Sequence, residues 1–204
     1  MRFASLLIWV ALVVSCTTEG LGPATSTAEL RGRLSSAAPG DIVEMAAGVF
    51  EGPLVVPPGV TLQGAGIEST FVVAPDMVVA PDMVVAPDMI VQVYLRPDTS
   101  GGETSVRGLS IRSGGVAALI STGPGRARVH VIEIVLSRGI GLGAEGLDAL
   151  TLERLSVVGP VTEDNAAELP PAPTTELSAT HGIVLVGVAS ADLAQVSADR
   201  KSVV

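Results

Sequence analysis

The sequence predicts an all-β solenoid of stacked parallel coils, and three observations lead to that fold class. Hydrophobic residues make up 48% of the 204 residues but aromatic residues only 2%, so a core must consist of Val, Leu, Ile and Ala. Glycine occurs 23 times and proline 14 times, which indicates many turns. Short aliphatic strands end at these residues, and their pattern recurs about every 20 to 25 residues, as in a repeat protein.

The charge balance excludes one class of partner. Twelve basic residues against 21 acidic residues give a formal net charge of −9. A nucleic-acid-binding domain normally presents a basic surface, so we expect no nucleic acid partner. Charged residues amount to 16% of the chain, which is too few for a disordered, highly charged tail.

The first 15 residues have the pattern of an export signal. Arg2 supplies a positive charge, and residues 3–14 are nearly all apolar but too few for an ordinary membrane span. The segment ends in Val-Val-Ser-Cys, which resembles the bacterial lipoprotein signal, where the cysteine is acylated and becomes the first mature residue. The resemblance implies a membrane anchor at Cys16 and a location in the cell envelope, at the outer membrane or cell surface. A plain secretory signal with a chance cysteine is the alternative.

Residues 16–25 are small and polar, and they predict a tether between this anchor and the folded domain. A short helix is predicted next, over residues 27–37. Ser26 is an N-cap candidate, Leu30 and Leu34 are spaced as one helical face requires, and a Pro-Gly pair ends the pattern.

The segment after the helix has a distinctive sequence. Gly-Asp at 40–41 precedes an alternating strand over 42–47, and Gly-Val-Thr-Leu-Gln-Gly-Ala-Gly occupies 59–66. With the helix, it resembles the start of right-handed parallel β-helix proteins of the pectin-lyase-like superfamily. The resemblance covers about residues 27–71 and implies a right-handed parallel β-helix over 26–204 with a capping helix. Lyases, hydrolases, esterases and proteins without known activity share that architecture, so it does not define a function.

Two aliphatic templates recur downstream and predict two strands per coil. The first template is Val106-x-x-Leu109-x-Ile111, Val131-x-x-Ile134-x-Leu136, Leu152-x-x-Leu155-x-Val157 and Leu193-x-x-Val196-x-Ala198. The second is Gly115-Val116 with Leu119, Gly139-Ile140 with Leu142, and Gly182-Ile183 with Leu185.

Two segments interrupt these repeats. Val-Val-Ala-Pro-Asp-Met occurs three times without change over 72–89, which favours a tandem expansion with one copy in a strand. The six-residue spacing also resembles left-handed β-helix acyltransferases, although the flanking residues do not continue it. Residues 160–180 are rich in proline and acidic residues and predict a loop excursion from one corner of the solenoid.

The end of the sequence predicts a truncated chain. Residues 200–204 follow a strand, and no cap that would cover the last coil is visible after it.

A glycine-rich segment at 141–146 formally matches the dinucleotide-binding pattern G-x-G-x-x-G. The helix that should follow it, over 144–154, is short and has the alternating pattern of strands instead. We therefore prefer the solenoid interpretation and expect no nucleotide cofactor.

One cluster has residue types that suit catalysis. Aligning the first template places Gly108, Glu133, Arg154 and Gln195 in one outward column and Arg107, Ile132, Glu153 and Ala194 in the next. Glu133 should then pair with Arg154, and in pectate-lyase-like enzymes an arginine base works beside acids that hold Ca²⁺. The candidates for such a site are Arg154, Glu133, Glu153 and Asp148. The alternative is a solvated ion-pair ladder, which contributes little stability.

No other catalytic set is visible. His130 and His181 fall on different sheets, and neither has further ligands at metal spacing. We therefore expect a lipid-anchored, exported β-helix protein with a non-catalytic surface or binding role, whose partner is a polysaccharide or another envelope protein, without a cofactor. The alternative is a polysaccharide lyase or glycosidase, for which Ca²⁺ would be the cofactor.

Overall fold

The structure is a computed structural model that describes residues 22–74, 91–113, 117–136, 140–158 and 181–198. It begins with helix α1 (Thr27–Ser36), which confirms the predicted capping helix. The Ser26 hydroxyl accepts a hydrogen bond from the Glu29 amide, and Leu30 and Leu34 are buried against the first coil. The helix thereby covers the apolar end of the solenoid.

The rest of the described chain is a parallel β-helix whose coils present three faces. The first face contains β1 (Ile42–Glu44), β4 (Thr61–Gln63), the first halves of β7 (Thr104–Ser113), β9 (Arg126–Leu136) and β11 (Ala149–Val158), and β13 (Ala191–Ala194). The second face contains β2 (Gly48–Glu51), β5 (Thr70–Val73), the second halves of β7, β9 and β11, and β14 (Ser197–Ala198). The third face contains β3 (Leu54–Val56), β6 (Val91–Leu95), β8 (Ala117–Thr122), β10 (Ile140–Glu145) and β12 (His181–Val186). Every pairing between these strands is parallel.

The bend between the first and second faces explains why two strands per coil were expected where the structure has three faces. One residue in each long strand adopts a left-handed backbone: Gly108 at φ 66°, Val131 at 52° and Arg154 at 54°. Gln195, between β13 and β14, repeats it at 55°. The strand register places these residues at equivalent positions of successive coils. A single bent residue therefore turns the chain while both halves stay paired with the neighbouring coil.

Aliphatic side chains stacked from coil to coil form the core. On the first face one inward column contains Val43, Leu62, Val106, Val129 and Leu152, all buried. On the third face Leu54, Val93, Leu119 and Leu142 are stacked in the same way. Each coil thus covers the apolar face of the next, as the repeat predicts.

Two sequence predictions need correction in the strand alignment. Val106 pairs with Val129, and Val129 pairs with Leu152, so the template beginning at Val131 was placed two residues too late. On the third face Leu142 pairs with Ile183 instead of Leu185. On the third face a shift by two residues keeps inward residues inward, so the hydrophobic pattern does not reveal it. Across the bend between the first and second faces, inward residues such as Val129 and Ile132 are three apart instead of two. The shifted template therefore turned Ile132 outward, whereas the structure has it 1% exposed.

The predicted tether is also too long. Ala24 is fully buried and forms a parallel bridge with Met45, with its amide 2.8 Å from the carbonyl oxygen of Glu44. The chain therefore joins the folded domain by residue 24. Residues 141–145 of the glycine-rich segment lie in β10, and Gly146 follows it. The next element is β11, in place of the helix that a dinucleotide site requires.

Several sequence predictions fall outside the described residues. These are the signal peptide with Cys16, residues 160–180 and the chain end at 200–204. Of the three hexapeptide copies, only the first three residues are described, and Val72 and Val73 end β5.

Candidate functional site

The outer surface of the first face carries a continuous row of polar side chains. Its first outward column contains Thr61, Ser105, Arg128 and Thr151, and its second contains Glu44, Gln63, Arg107, His130 and Glu153. Neighbours within a column belong to adjacent coils, which lie about 4.8 Å apart in a parallel sheet. Side chains of this length therefore contact one another from coil to coil.

Arg107 is fixed by an uncharged neighbour. Its Nε donates a hydrogen bond of 2.9 Å to Oε1 of Gln63, and its Nη2 donates to the same oxygen. Among the described residues no carboxylate lies within ion-pair distance of Arg107. The guanidinium is thus held in position while its positive charge stays available to a ligand.

His130 and Glu153 form a close pair in the next two coils. The distance from Nδ1 of His130 to Oε2 of Glu153 is 2.9 Å, and the two side chains are 31% and 39% exposed. A carboxylate at Nδ1 orients the imidazole ring and favours a proton on that nitrogen. Nε2 is then left to accept a proton or hydrogen bond from a molecule in the cleft.

These residues line one open cleft of about 310 Å³. Arg128 and Glu103 complete its wall, with Nε of Arg128 3.4 Å from Oε1 of Glu103. The hydroxyl oxygens of Thr61 and Ser105 lie 2.8 Å apart on its floor. Because the Arg128 side chain is 47% exposed, its ion pair is weak, and this guanidinium is also available to an anion. The lining residues are Thr61, Glu103, Ser105, Arg107, Arg128, His130 and Glu153.

The structure does not bring the four predicted catalytic residues together. Val131 is the residue opposite Arg154, so the predicted pairing of Glu133 with Arg154 is wrong. Glu133 lies beyond the bend on the second face, where its carboxylate accepts a hydrogen bond from the Ser110 hydroxyl. Asp148 lies in the turn before β11 and accepts from the Gly125 amide. Of the four, only Glu153 lines the cleft.

This dispersal bears on the Ca²⁺ site that a lyase of the pectate-lyase type would need. Glu133, Glu153 and Asp148 lie at three separate places, so they do not fit one calcium ion. Within the described ranges, no three His, Cys, Asp or Glu residues are grouped as metal ligands.

Sequence reasoning missed Arg107, Arg128 and the partner of His130 for one reason. The shifted alignment placed Ile132 opposite Glu153, where the structure has His130. Equal spacing was the available signal, because Val106, Val129 and Leu152 are each 23 residues apart. Glu103 lies just before β7, in a position that no strand template covers.

No protein-family model, curated protein or solved structure matched the chain. In the part of the chain that the structure describes, α1 is the helix present, and no helix there is long and apolar enough to cross a membrane.

Proposed function

We propose that this protein is an exported, lipid-anchored β-helix protein of the pectin-lyase-like superfamily that binds an acidic polysaccharide on its first face. One observation carries the proposal. Arg107 and Arg128 share a single open cleft, although the chain as a whole has a net charge of −9. The two carboxylates of the lining are engaged, Glu103 by Arg128 and Glu153 by His130. Arg107 has no carboxylate partner among the described residues, so its guanidinium favours an anionic ligand.

The chemistry of the cleft suits a sugar that carries a carboxylate. A planar guanidinium binds a carboxylate through two parallel hydrogen bonds. The hydroxyl groups of Thr61 and Ser105 and the Nε2 atom of His130 offer partners for sugar hydroxyls. Successive coils repeat at about 4.8 Å, which is comparable with the length of one sugar unit, so an extended chain can contact several coils at once.

No aromatic side chain is among the residues that line the cleft, and this predicts how binding depends on salt and on the charge of the polysaccharide. Sugar rings often stack on aromatic rings, but the cleft is lined by polar and charged side chains. Its affinity therefore depends on charge, and we expect binding to weaken as salt screens the arginines. A neutral polysaccharide should bind much less tightly than an acidic one.

The test is a binding titration with polygalacturonate, with dextran as the neutral comparison. The Arg107→Ala/Arg128→Ala protein should bind polygalacturonate at least tenfold more weakly than the unaltered chain. The Arg112→Ala/Arg126→Ala protein removes the same charge outside the cleft and should stay within twofold. Equal loss in both double variants, or equal binding of dextran, would contradict the proposal and favour a protein partner in the envelope.

A second function, elimination lyase on the same polymer, is favoured by the His130–Glu153 pair. With one arginine on the uronate carboxylate, Nε2 of His130 takes the proton from the adjacent ring carbon. The electron pair forms a double bond to the next ring carbon, the bond from that carbon to the bridging oxygen breaks, and the departing sugar oxygen takes a proton from solvent water. His130, in place of the predicted Arg154, is then the base.

Ultraviolet absorbance distinguishes this lyase function from binding alone. An unsaturated product absorbs, so a lyase gives a steady rise that His130→Ala abolishes and Arg154→Ala leaves unchanged. A flat trace in a protein that binds polygalacturonate supports the non-catalytic role. A rise that depends on Arg154 would restore the catalytic role that the sequence predicted.

The lipid anchor is tested separately. The motif ending in Cys16 supports acylation, and we expect metabolic labelling with a radioactive fatty acid in the unaltered chain but not in Cys16→Ser. The anchored form should fractionate with the cell envelope. Absence of label from both proteins would refute the anchor and leave a plain secretory signal.

A further inference from the structure

A second cleft, separate from the one that Arg107 and Arg128 line on the first face, lies between α1 and the third face. Its volume is about 440 Å³, which is in the range of small-molecule sites. Its floor is apolar, and one of the residues there, Val55 of β3, is 46% exposed. The apolar residues of the floor are Leu34, Ala37, Pro53, Val55 and Pro57.

Two arginines stand on the rim of this apolar cleft. Nη2 of Arg31 donates hydrogen bonds to the carbonyl oxygens of Glu51 (3.1 Å) and Gly52 (3.0 Å), which hold the guanidinium beside the start of β3. Arg96 follows β6 in the next coil, and its side chain has no partner among the described residues. The remaining donors of Arg31 and all those of Arg96 are available to an anion, so the cleft combines an apolar floor with a cationic rim.

The apolar floor continues along the outer surface of the third face. Strand pairing places Val55, Tyr94, Ile120, Gly143 and Val184 in one outward column. Four steps of about 4.8 Å give roughly 19 Å, which is comparable with an extended long acyl chain. Gly143, the fourth residue of this column, has no side chain and leaves a depression between Ile120 and Val184.

We infer that this cleft and the adjoining column bind a long-chain fatty acid. Its carboxylate lies between Arg31 and Arg96, and its acyl chain follows Val55 and Tyr94 towards Ile120. The assignment rests on complementarity at both ends of the ligand. Two guanidinium groups favour a carboxylate, and the apolar column favours a hydrocarbon chain over water. This site is independent of the polysaccharide cleft, since no lining residue is common to both.

The test uses a fluorescent fatty acid, 11-(dansylamino)undecanoic acid, with palmitate as the competitor. The protein is the full chain with Cys16→Ser in every sample, so that no attached lipid competes. We expect saturable binding at one site and displacement by palmitate. Methyl palmitate, which lacks the negative charge, should compete at least tenfold more weakly.

Matched variants locate the site. Val55→Asp and Arg96→Ala should each weaken binding at least fivefold. Val49→Asp alters an exposed valine of the same coil on the second face (64% exposed, against 46% for Val55), and Arg126→Ala removes an arginine outside the cleft; both should stay within twofold. Circular dichroism checks that all four variants fold.

Four outcomes would overturn the inference, three in the binding assays themselves and one with vesicles. The first is that the probe shows no saturable binding. The second is that each control variant loses as much affinity for the probe as its matched cleft variant. The third is that palmitate and its methyl ester compete equally well. Binding of the probe only when anionic vesicles are present would likewise overturn it in favour of a membrane-contact surface.

Discussion

The first and third faces of the solenoid have the same interior and opposite exteriors. Inside, both present aliphatic columns, with Leu152 on one face and Leu142 on the other almost fully buried. Outside, the first face carries the Arg107–His130–Glu153 row, whereas the third face carries the column that runs from Val55 to Val184. The difference shows that the inward columns specify the fold, while the outward columns are free to specify ligands.

The order of residues in the polar row shows how such a surface stays compatible with stacking. Each side chain lies about 4.8 Å from its equivalent in the next coil, so like charges in succession would repel. The first face avoids this repulsion by placing neutral Gln63 beside Arg107 and Glu153 beside His130. Within the row, Gln63 is thus paired with Arg107 and His130 with Glu153, and none of these four side chains is deeply buried.

The largest expected effects test the shared interior. Leu152→Ala on the first face and Leu142→Ala on the third should each lower the free energy of unfolding by about 2 to 5 kcal/mol, because each leaves a cavity in close-packed surroundings. Urea denaturation followed by circular dichroism measures both. Val49→Ala, at a position 64% exposed, is the control and should change stability by less than about 0.5 kcal/mol. A loss on only one face would show that the two interiors are not equivalent.

The comparison also shows what the sequence could and could not predict. The capping helix was predictable because Ser26, Leu30 and Leu34 act locally, and the coils were predictable because inward aliphatics repeat. The cleft of the first face was not, because its geometry depends on register, and the sequence did not reveal the bend, across which inward residues are three apart instead of two. A glycine marks the bend in β7, but in β9 the same bend occurs at Val131, which looks like an ordinary strand residue.

The second prediction concerns the corner that separates the third face from the first. Asp98 is 5% exposed there, and its Oδ1 accepts hydrogen bonds from the Ser100 hydroxyl (2.7 Å) and amide (2.8 Å). These bonds, with one from the Gly102 amide, hold the pKa of the Asp98 carboxyl below its usual value, although burial opposes them. A lowered pKa in the folded state contributes stability above the unfolded pKa of about 3.9, and that stability is lost as the pH falls through the folded value.

We therefore expect the unaltered protein to lose Tm between pH 5 and pH 2 more steeply than Asp98→Asn, which has no carboxylate to protonate. At pH 7 the variant should be the less stable of the two. Thermal melts across the pH series measure both quantities. Parallel curves for the two proteins would show that the corner does not depend on the carboxylate.

The third prediction uses the bend between the first and second faces. Val131 is β-branched and has φ 52°, a backbone conformation that costs a residue with a side chain about 1 to 2 kcal/mol. Asparagine tolerates this region better, so Val131→Asn should raise the free energy of unfolding by about 1 kcal/mol. Gly108→Val makes the opposite change in the neighbouring coil and should lower it, since a Cβ there would lie 3.0 Å from the carbonyl oxygen of Gly64. Urea denaturation of the two variants is the measurement, and destabilisation by both would show that Val131 contributes packing that outweighs its strain.

The smallest expected effects test the exteriors. Glu153→Gln on the first face and Val55→Thr on the third should each change the free energy of unfolding by less than about 0.5 kcal/mol, because the side chains are 39% and 46% exposed and water screens the ion pair. The same two variants should affect different ligands. Glu153→Gln leaves an amide beside Nδ1 of His130, so it should alter polygalacturonate binding and leave fatty-acid binding unchanged; Val55→Thr should do the reverse. Glu153→Gln should match Leu152→Ala only if the polar row is needed for folding. A loss of unfolding free energy as large as that of Leu152→Ala would therefore show that, on the first face, the exterior specifies the fold as the interior does.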